Sequence, residues 1–307
     1  MRKSDELIIN AWKAKTVIPA FNIPYLPMME PVIKALRDTE CFGFIAVARL
    51  EWEKFEAGGL KEIFKEYQRI KDEKYTRLHL DHVPVIDEDG LQVKYESVIK
   101  QALQIGYQSV MIDGSRLSLE ENIKATKKIV DMAHAAGIPV EGELGAVLGH
   151  EQGSLPPYNE LFSSGKGFTD SNEAEQFVKE TNVNWLSVAV GNVHGAISGA
   201  AKDAKKIVAR IDIEHLRKIK EQVSIPLVLH GGSGINKRYI LEAVKNGIAK
   251  INIGTAIRQV YESFYHNNVE TLHCNVSTFA QEAVYEKTVQ IIKEELEIEG
   301  SVKLINP

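Results

Sequence analysis

Short, almost uninterrupted apolar runs alternate along this chain with longer stretches in which apolar residues recur three and four apart. The runs are VIPAFNI (17–23), FGFIAVA (42–48), RLHLDHV (77–83), SVMIDGS (109–115), PVEGELG (139–145), WLSVAVG (185–191), PLVLHGG (226–232) and AKINIGT (249–255). Runs that stay apolar without strict polar alternation fit strands buried on both faces of a parallel sheet. Between them the spacing predicts helices near 27–38, 60–72, 95–105, 119–136, 172–181, 213–222 and 237–246, and one more starting at about 256. Gly106, Gly137 and Gly247 stand at or just after helix ends, where a left-handed residue is often needed. Eight strand–helix units in this length predict an α/β fold, a (β/α)8 TIM barrel with an additional C-terminal helix at about 279–297. A doubly wound open sheet is the alternative. No Pro/Gly/Ser-rich linker divides the chain, so residues 1–307 are expected to form one barrel domain. The connections 146–170 and 194–212 are long, as barrel lids and substrate loops often are.

Composition narrows the function classes. The 307 residues are 44% hydrophobic and 26% charged, an ordinary soluble globular balance. A net charge of −5 with no dense basic run argues against a nucleic-acid partner. No apolar run approaches the roughly 20 residues needed to span a bilayer, so no membrane partner is expected. The segment 1–15 has the pattern of an amphipathic helix and lacks a signal peptide's apolar core. Cys41 and Cys274 have no metal-ligand spacing, and a cytoplasmic location fits them best.

Candidate chemistry sits at the ends of the apolar runs. His82, His194 and His230 each lie at or just past a strand end, and in a barrel all C-terminal strand ends meet on one face. Three neutral imidazoles can hold a zinc ion and leave a position open for a substrate oxygen. Asp81, Asp113, Glu143, Asn252 and Thr255 fall at strand ends as well. Asp81 and His82 are neighbours, so aiming both at the barrel centre requires a twist or bulge in the third strand. His79 lies deeper, in a supporting or core position. HGGSG (230–234) and NIGT (252–255) follow adjacent strands. There Gly231, Gly232 and Gly254 allow close backbone approach, with Ser233 and Thr255 supplying hydroxyls and Gly195 joining from the neighbouring loop, as in a phosphate cradle.

Together PAFNI, HLDH, MIDGS, EGELG, GHEQG, GNVHG, LHGGSG and KINIGT resemble the class II, zinc-dependent ketose-bisphosphate aldolases, in the same order and with similar spacing from about Val17 to Arg258. The resemblance implies a lyase that reversibly cleaves a phosphorylated ketose to dihydroxyacetone phosphate and an aldehyde. It implies Zn2+ on His82, His194 and His230, with Asp113 and Glu143 matching positions for a second or displaced metal. Gly195, Gly231, Ser233, Asn252 and Thr255 match the site for dihydroxyacetone phosphate, and carbonyls around Gly195 and Ser233 match a site for a monovalent cation, Na+ or K+. Glu151 matches a loop glutamate that moves the proton beside the carbonyl. Asp81 matches the group that exchanges the proton of the aldehyde-derived hydroxyl, and Asn22 helps to position the substrate. A homo-oligomer, dimer or tetramer, is implied in the same way.

The departures concern the aldehyde half. After the second strand stands VARLEWEKFEAGG, where Arg49 either contacts the aldehyde or pairs with Glu51 or Glu53. Gly254, before Thr255, leans toward the tagatose-type enzymes, and Lys202 is a candidate phosphate-facing lysine in the long sixth loop. The competing functions are a non-catalytic sugar-phosphate-binding or partner subunit and a zinc hydrolase. A binding module needs no base, and a hydrolase needs no phosphate cradle.

Overall fold

The near-continuous apolar runs become strands with both faces covered: every residue of Gly43–Ala48 and of Ile248–Ile253 is buried. The structure, a computed structural model, describes residues 2–147, 157–194, 209–268 and 276–307. Strands β1 (Ile18–Asn22), β2 (Gly43–Ala48), β3 (Thr76–Pro84), β4 (Ser109–Asp113), β5 (Val140–Leu144), β6 (Trp185–Val188), β7 (Leu227–Leu229) and β8 (Ile248–Ile253) pair in parallel, in chain order. β8 returns to β1 with Ala20 opposite Asn252, which closes the barrel.

The chain's helices run in order as α1 (Ser4–Ala14), α2 (Met29–Asp38), α3 (Arg49–Glu53), α4 (Leu60–Ile70), α5 (Tyr95–Ile105), α6 (Leu119–Ala135), α7 (Tyr158–Ser164), α8 (Ser171–Thr181), α9 (Ile213–Gln222), α10 (Lys237–Lys245), α11 (Thr255–Asn268), α12 (Val276–Gln290) and α13 (Val302–Ile305). The longest, α6, starts at a capping box: Ser118 Oγ accepts from the Glu121 N–H while the Glu121 carboxylate accepts from the Ser118 N–H and hydroxyl. Gly106, Gly137 and Gly247 all take positive φ at the expected helix ends. The expected C-terminal helix is α12, which widens into one π turn over Ile291–Glu295. The short α3, α7 and α13 were not anticipated, because four to seven residues are too few for a 3.6-residue period to show. Cys41 is buried beside Ser301, and Cys274 lies outside the described residues. No helix among the described residues is long and apolar enough to cross a membrane.

Two local features aim the site. On β3 the register steps from Leu80↔Val110 to Val83↔Ile112, so one extra residue is accommodated at Asp81–His82. His82 takes φ 28°, a region that L-residues avoid, at a cost of about 1–3 kcal/mol. This is the bulge that the adjacent Asp81 and His82 require. The second feature is period two: His79 and Asp81, Glu141 and Glu143, and Lys250 and Asn252 each share the inner face of their strand. A polar layer therefore fills the C-terminal half of a barrel otherwise packed with apolar side chains.

Candidate active site

At the upper end of the barrel, ligand atoms of His82, His194 and His230 all lie within 4.8 Å of one another. Their ring centroids are 4.4 Å (His82–His230), 5.1 Å (His82–His194) and 6.1 Å (His194–His230) apart. His82 Nδ1 lies 3.4 Å from Asp113 Oδ2 and 3.7 Å from Glu143 Oε2. His230 Nε2 lies 2.7 Å from Glu141 Oε1. Glu141 also accepts from Trp185 Nε1 at 2.6 Å and Lys250 Nζ at 2.8 Å, so its oxygens are spent on donors and His230 must carry its proton on Nε2. That leaves His82 Nε2 and His230 Nδ1 buried with no hydrogen-bond partner among the described residues. Buried polar atoms are nearly always satisfied, so two orphaned ring nitrogens on histidines that can bring ligand atoms within 4.8 Å of one another suit a cation-binding site.

The electrostatics follow from burial and from a chain of neighbours. Burial disfavours charge on each group. At His82 the carboxylates of Asp81, Asp113 and Glu143 outweigh burial and push the imidazole up to about 10. His230 moves oppositely, as burial and the charge of His82 take it down to about 4. Burial would raise Glu141, but Lys250 and His230 draw it down to about 2. Asp113 likewise falls to about 2 against burial, through His82 and the Ser115 donors. Burial and the proximity of Asp113 push Glu143 well above the usual carboxylate range. Asp81 is held well below it, since His82 and His79 overcome the burial cost, and so it stays ionised.

Asp81 Oδ2 accepts from Asn22 Nδ2 at 2.8 Å, and its Oδ1 lies 3.7 Å from His79 Nε2. Lys250 Nζ donates to Asn252 Oδ1 at 2.7 Å, and the buried Asn252 amide nitrogen has no hydrogen-bond partner among the described residues. Ser233 Oγ accepts from the Ala256 N–H at 3.2 Å, tying the loop after β7 to the start of α11. Gly231 has φ +67°, and a Cβ there would collide with the Val193 carbonyl. Gly231→Ala is expected to cost about 1–3 kcal/mol from the backbone alone. Thermal unfolding measures this, and an unshifted midpoint would contradict the tight packing.

A cavity of about 90 Å³, open to solvent, gathers these groups. Among its lining residues are Asn22, Asp81, His82, His194, His230, Gly231, Ser233, Asn252, Gly254 and Thr255, all singled out from the sequence. Asp113 and Glu143 stand behind His82 and do not line it. Glu151, Gly195 and Lys202 lie outside the described residues. Arg49, expected either to contact the aldehyde or to pair with Glu51 or Glu53, is not among the lining residues and lies 3.7 Å from Glu53 and 3.6 Å from Asp87. Arg258 and Glu51 line the cavity instead. The sequence reading gives no role to Glu141, Lys250 or Arg258. Period two was the usable signal for the first two, which stand two residues before Glu143 and Asn252. For Arg258 the signal was its place one turn into the helix that opens at Thr255.

Known proteins resemble this chain in sequence and fold. The family model for fructose-bisphosphate aldolase class II matches residues 2–303. The chain is 30% identical over 254 residues to the fructose-bisphosphate aldolase of Geobacillus stearothermophilus, covering 81% of this chain and 79% of that protein. It is 34% identical over 235 residues to the 6-phospho-5-dehydro-2-deoxy-D-gluconate aldolase of Halalkalibacterium halodurans, covering 74% and 71% respectively. Among solved structures, the YdjI aldolase from Escherichia coli superposes with a TM-score of 0.76 at 27% identity, over 98% of this chain and all of that one. Strand-end histidines around orphaned ring nitrogens, on a closed eight-stranded barrel, thus meet a family match from one end of the chain to the other, and the protein belongs to the class II fructose-bisphosphate aldolases, a family of aldehyde-lyases.

Proposed function

We propose that this enzyme catalyses the zinc-dependent, reversible aldol cleavage of a phosphorylated ketose, a ketose bisphosphate or a related sugar, to dihydroxyacetone phosphate and an aldehyde. The observation that carries the reading is the pair of buried, unpartnered nitrogens on His82 and His230, with His194 completing the set. Zinc on these three neutral ligands would supply a Lewis acid for the ketose carbonyl. His82, Asp113 and Glu143 form a second cluster able to take a cation, as the family likeness suggests. A monovalent cation, Na+ or K+, belongs beside Ser233 and Gly195 on the same likeness.

The chain's own residues divide the remaining work. Gly231, Ser233 and Thr255 bind the phosphate of the ketose fragment through backbone N–H groups and hydroxyls, with Gly195 beside them. Asn252, its oxygen held by Lys250, presents an amide N–H to the substrate. In cleavage, ionised Asp81 takes the proton of the hydroxyl on the carbon beyond the breaking bond, and that carbon leaves as the aldehyde. The electron pair stays on the carbon beside the carbonyl, which is then protonated to give dihydroxyacetone phosphate. Glu151 is the residue assigned to that proton. Asn22 holds Asp81 through Oδ2 and so fixes the carboxylate beside His82.

The test is release of dihydroxyacetone phosphate from fructose and tagatose bisphosphates and from ketose 1-phosphates. Activity should fall with chelation and return with one zinc per chain. Asp81→Asn should keep its zinc and lose about 10²–10⁴-fold in kcat, the usual share of a positioned acid–base group. Full turnover by metal-stripped enzyme would overturn the reading.

A further inference from the structure

We propose that the aldehyde end of the cavity is built for an unphosphorylated, hydroxyl-bearing aldehyde, with Glu51 receiving one of its hydroxyls, so that the natural ketose carries a single phosphate. The inference rests on the aldolase reading above and deepens it.

The two ends of the cavity differ in chemistry. The end formed after β7 and β8 offers what a phosphate needs: a close-packed glycine turn, two hydroxyls and the start of α11. The end formed after β1 and β2 does not. It is walled by Pro24, Leu50 and Phe55 and carries the Glu51 carboxylate, which is 7% exposed. Glu51 lines the same cavity as Asp81 and Asn22, the residue that holds Asp81. The site already disfavours negative charge: burial and the Asp81 charge push Glu51 well above the usual carboxylate range, and a phosphate dianion would be set against the same two groups.

Apart from the three histidines, the lining cation among the described residues is Arg258, and its charge is already engaged. Arg258 Nη1 donates to Glu262 Oε2 at 2.6 Å, both side chains are buried, and Tyr25 OH donates to Glu262 Oε1 at 2.7 Å. The guanidinium also lies over the Phe55 ring, 5.4 Å from its centroid. A guanidinium matched to a buried carboxylate offers little net charge to a dianion.

A simpler role for Glu51 is to cap α3, since its Oε2 accepts from the Ala48 N–H at 2.7 Å. That bond uses one of the two carboxylate oxygens. Capping also requires no charge, because a glutamine would accept equally well. The distinction supplies the experiment.

Zinc-loaded enzyme is offered dihydroxyacetone phosphate with either glyceraldehyde or glyceraldehyde 3-phosphate, two acceptors that differ only in the phosphate. Wild type should prefer glyceraldehyde at least tenfold in kcat/KM. Glu51→Gln, which retains the cap, should reduce that preference at least fivefold, by losing the hydroxyl and gaining the phosphate. A wild-type preference for glyceraldehyde 3-phosphate overturns the proposal, as does a Glu51→Gln effect equal on both acceptors. Wild-type exchange of solvent deuterium into dihydroxyacetone phosphate needs no acceptor. Its absence would sink the aldolase reading and this one with it. Its presence alongside a preference for the phosphorylated acceptor would sink only this one.

Discussion

Replacing His230 with alanine should lower bound zinc from about one per chain to less than a tenth and remove aldol cleavage, by at least about a thousandfold given the several kcal/mol a catalytic metal contributes. The expectation comes from geometry. His230 is fully buried, its Nε2 is committed to Glu141, and its Nδ1 has no partner among the described residues unless an ion is present. Removing the ring leaves two imidazoles, and tetrahedral zinc held by two protein ligands exchanges readily with water. The Glu141–Lys250 pair survives the substitution, so the barrel should remain folded. Metal content after dialysis and release of dihydroxyacetone phosphate provide the two readouts. A variant that kept one zinc per chain and near-normal turnover would reduce the three histidines to a packing cluster.

Lys250→Met should be more damaging to the fold than any surface change, because it strands the Glu141 charge in the barrel interior. Breaking one side of a buried ion pair typically costs about 3–5 kcal/mol. Both partners are fully buried, and the bond between them is 2.8 Å. The same ammonium holds Asn252 Oδ1, and through Glu141 it sets the proton on His230. Zinc affinity should therefore weaken as well, by about 10–100-fold, the range seen when partners behind a ligand are lost. The double variant Glu141→Gln with Lys250→Met keeps an oxygen for His230 and leaves no stranded charge. It should be more stable than Lys250→Met alone in urea unfolding. If the single variant proved as stable as wild type, the pair would not hold the site together.

The barrel was legible in the sequence because its signal is collective: eight apolar runs and seven intervening helical periods agree, and a one-residue error in any of them changes nothing. The strand-end histidines were legible because chain topology alone delivers them to one face. The supporting layer was harder to see. Glu141 and Lys250 lie in apolar runs where a single charged residue looks like a strand-end irregularity, and only their pairing across the barrel, from β5 to β8, gives them meaning. Arg49 and Arg258 show the opposite difficulty. Both follow a strand end closely, but a short unanticipated helix turns Arg49 to Asp87 and Glu53, whereas the first turn of α11 brings Arg258 to the cavity. Side-chain direction at a loop exit depends on local backbone geometry, which composition and period do not encode.

The kink in β3 has an evolutionary corollary. It makes a metal-holding ring and a proton-accepting carboxylate covalent neighbours, with their separation dictated by a single wrong-handed backbone step in the barrel wall. Glu51 and Arg258 instead ride on helices outside that wall. Mutation can therefore retune which aldehyde is welcomed without disturbing the ruler that spaces the reacting groups, so diversification of substrates should be fast and diversification of chemistry slow.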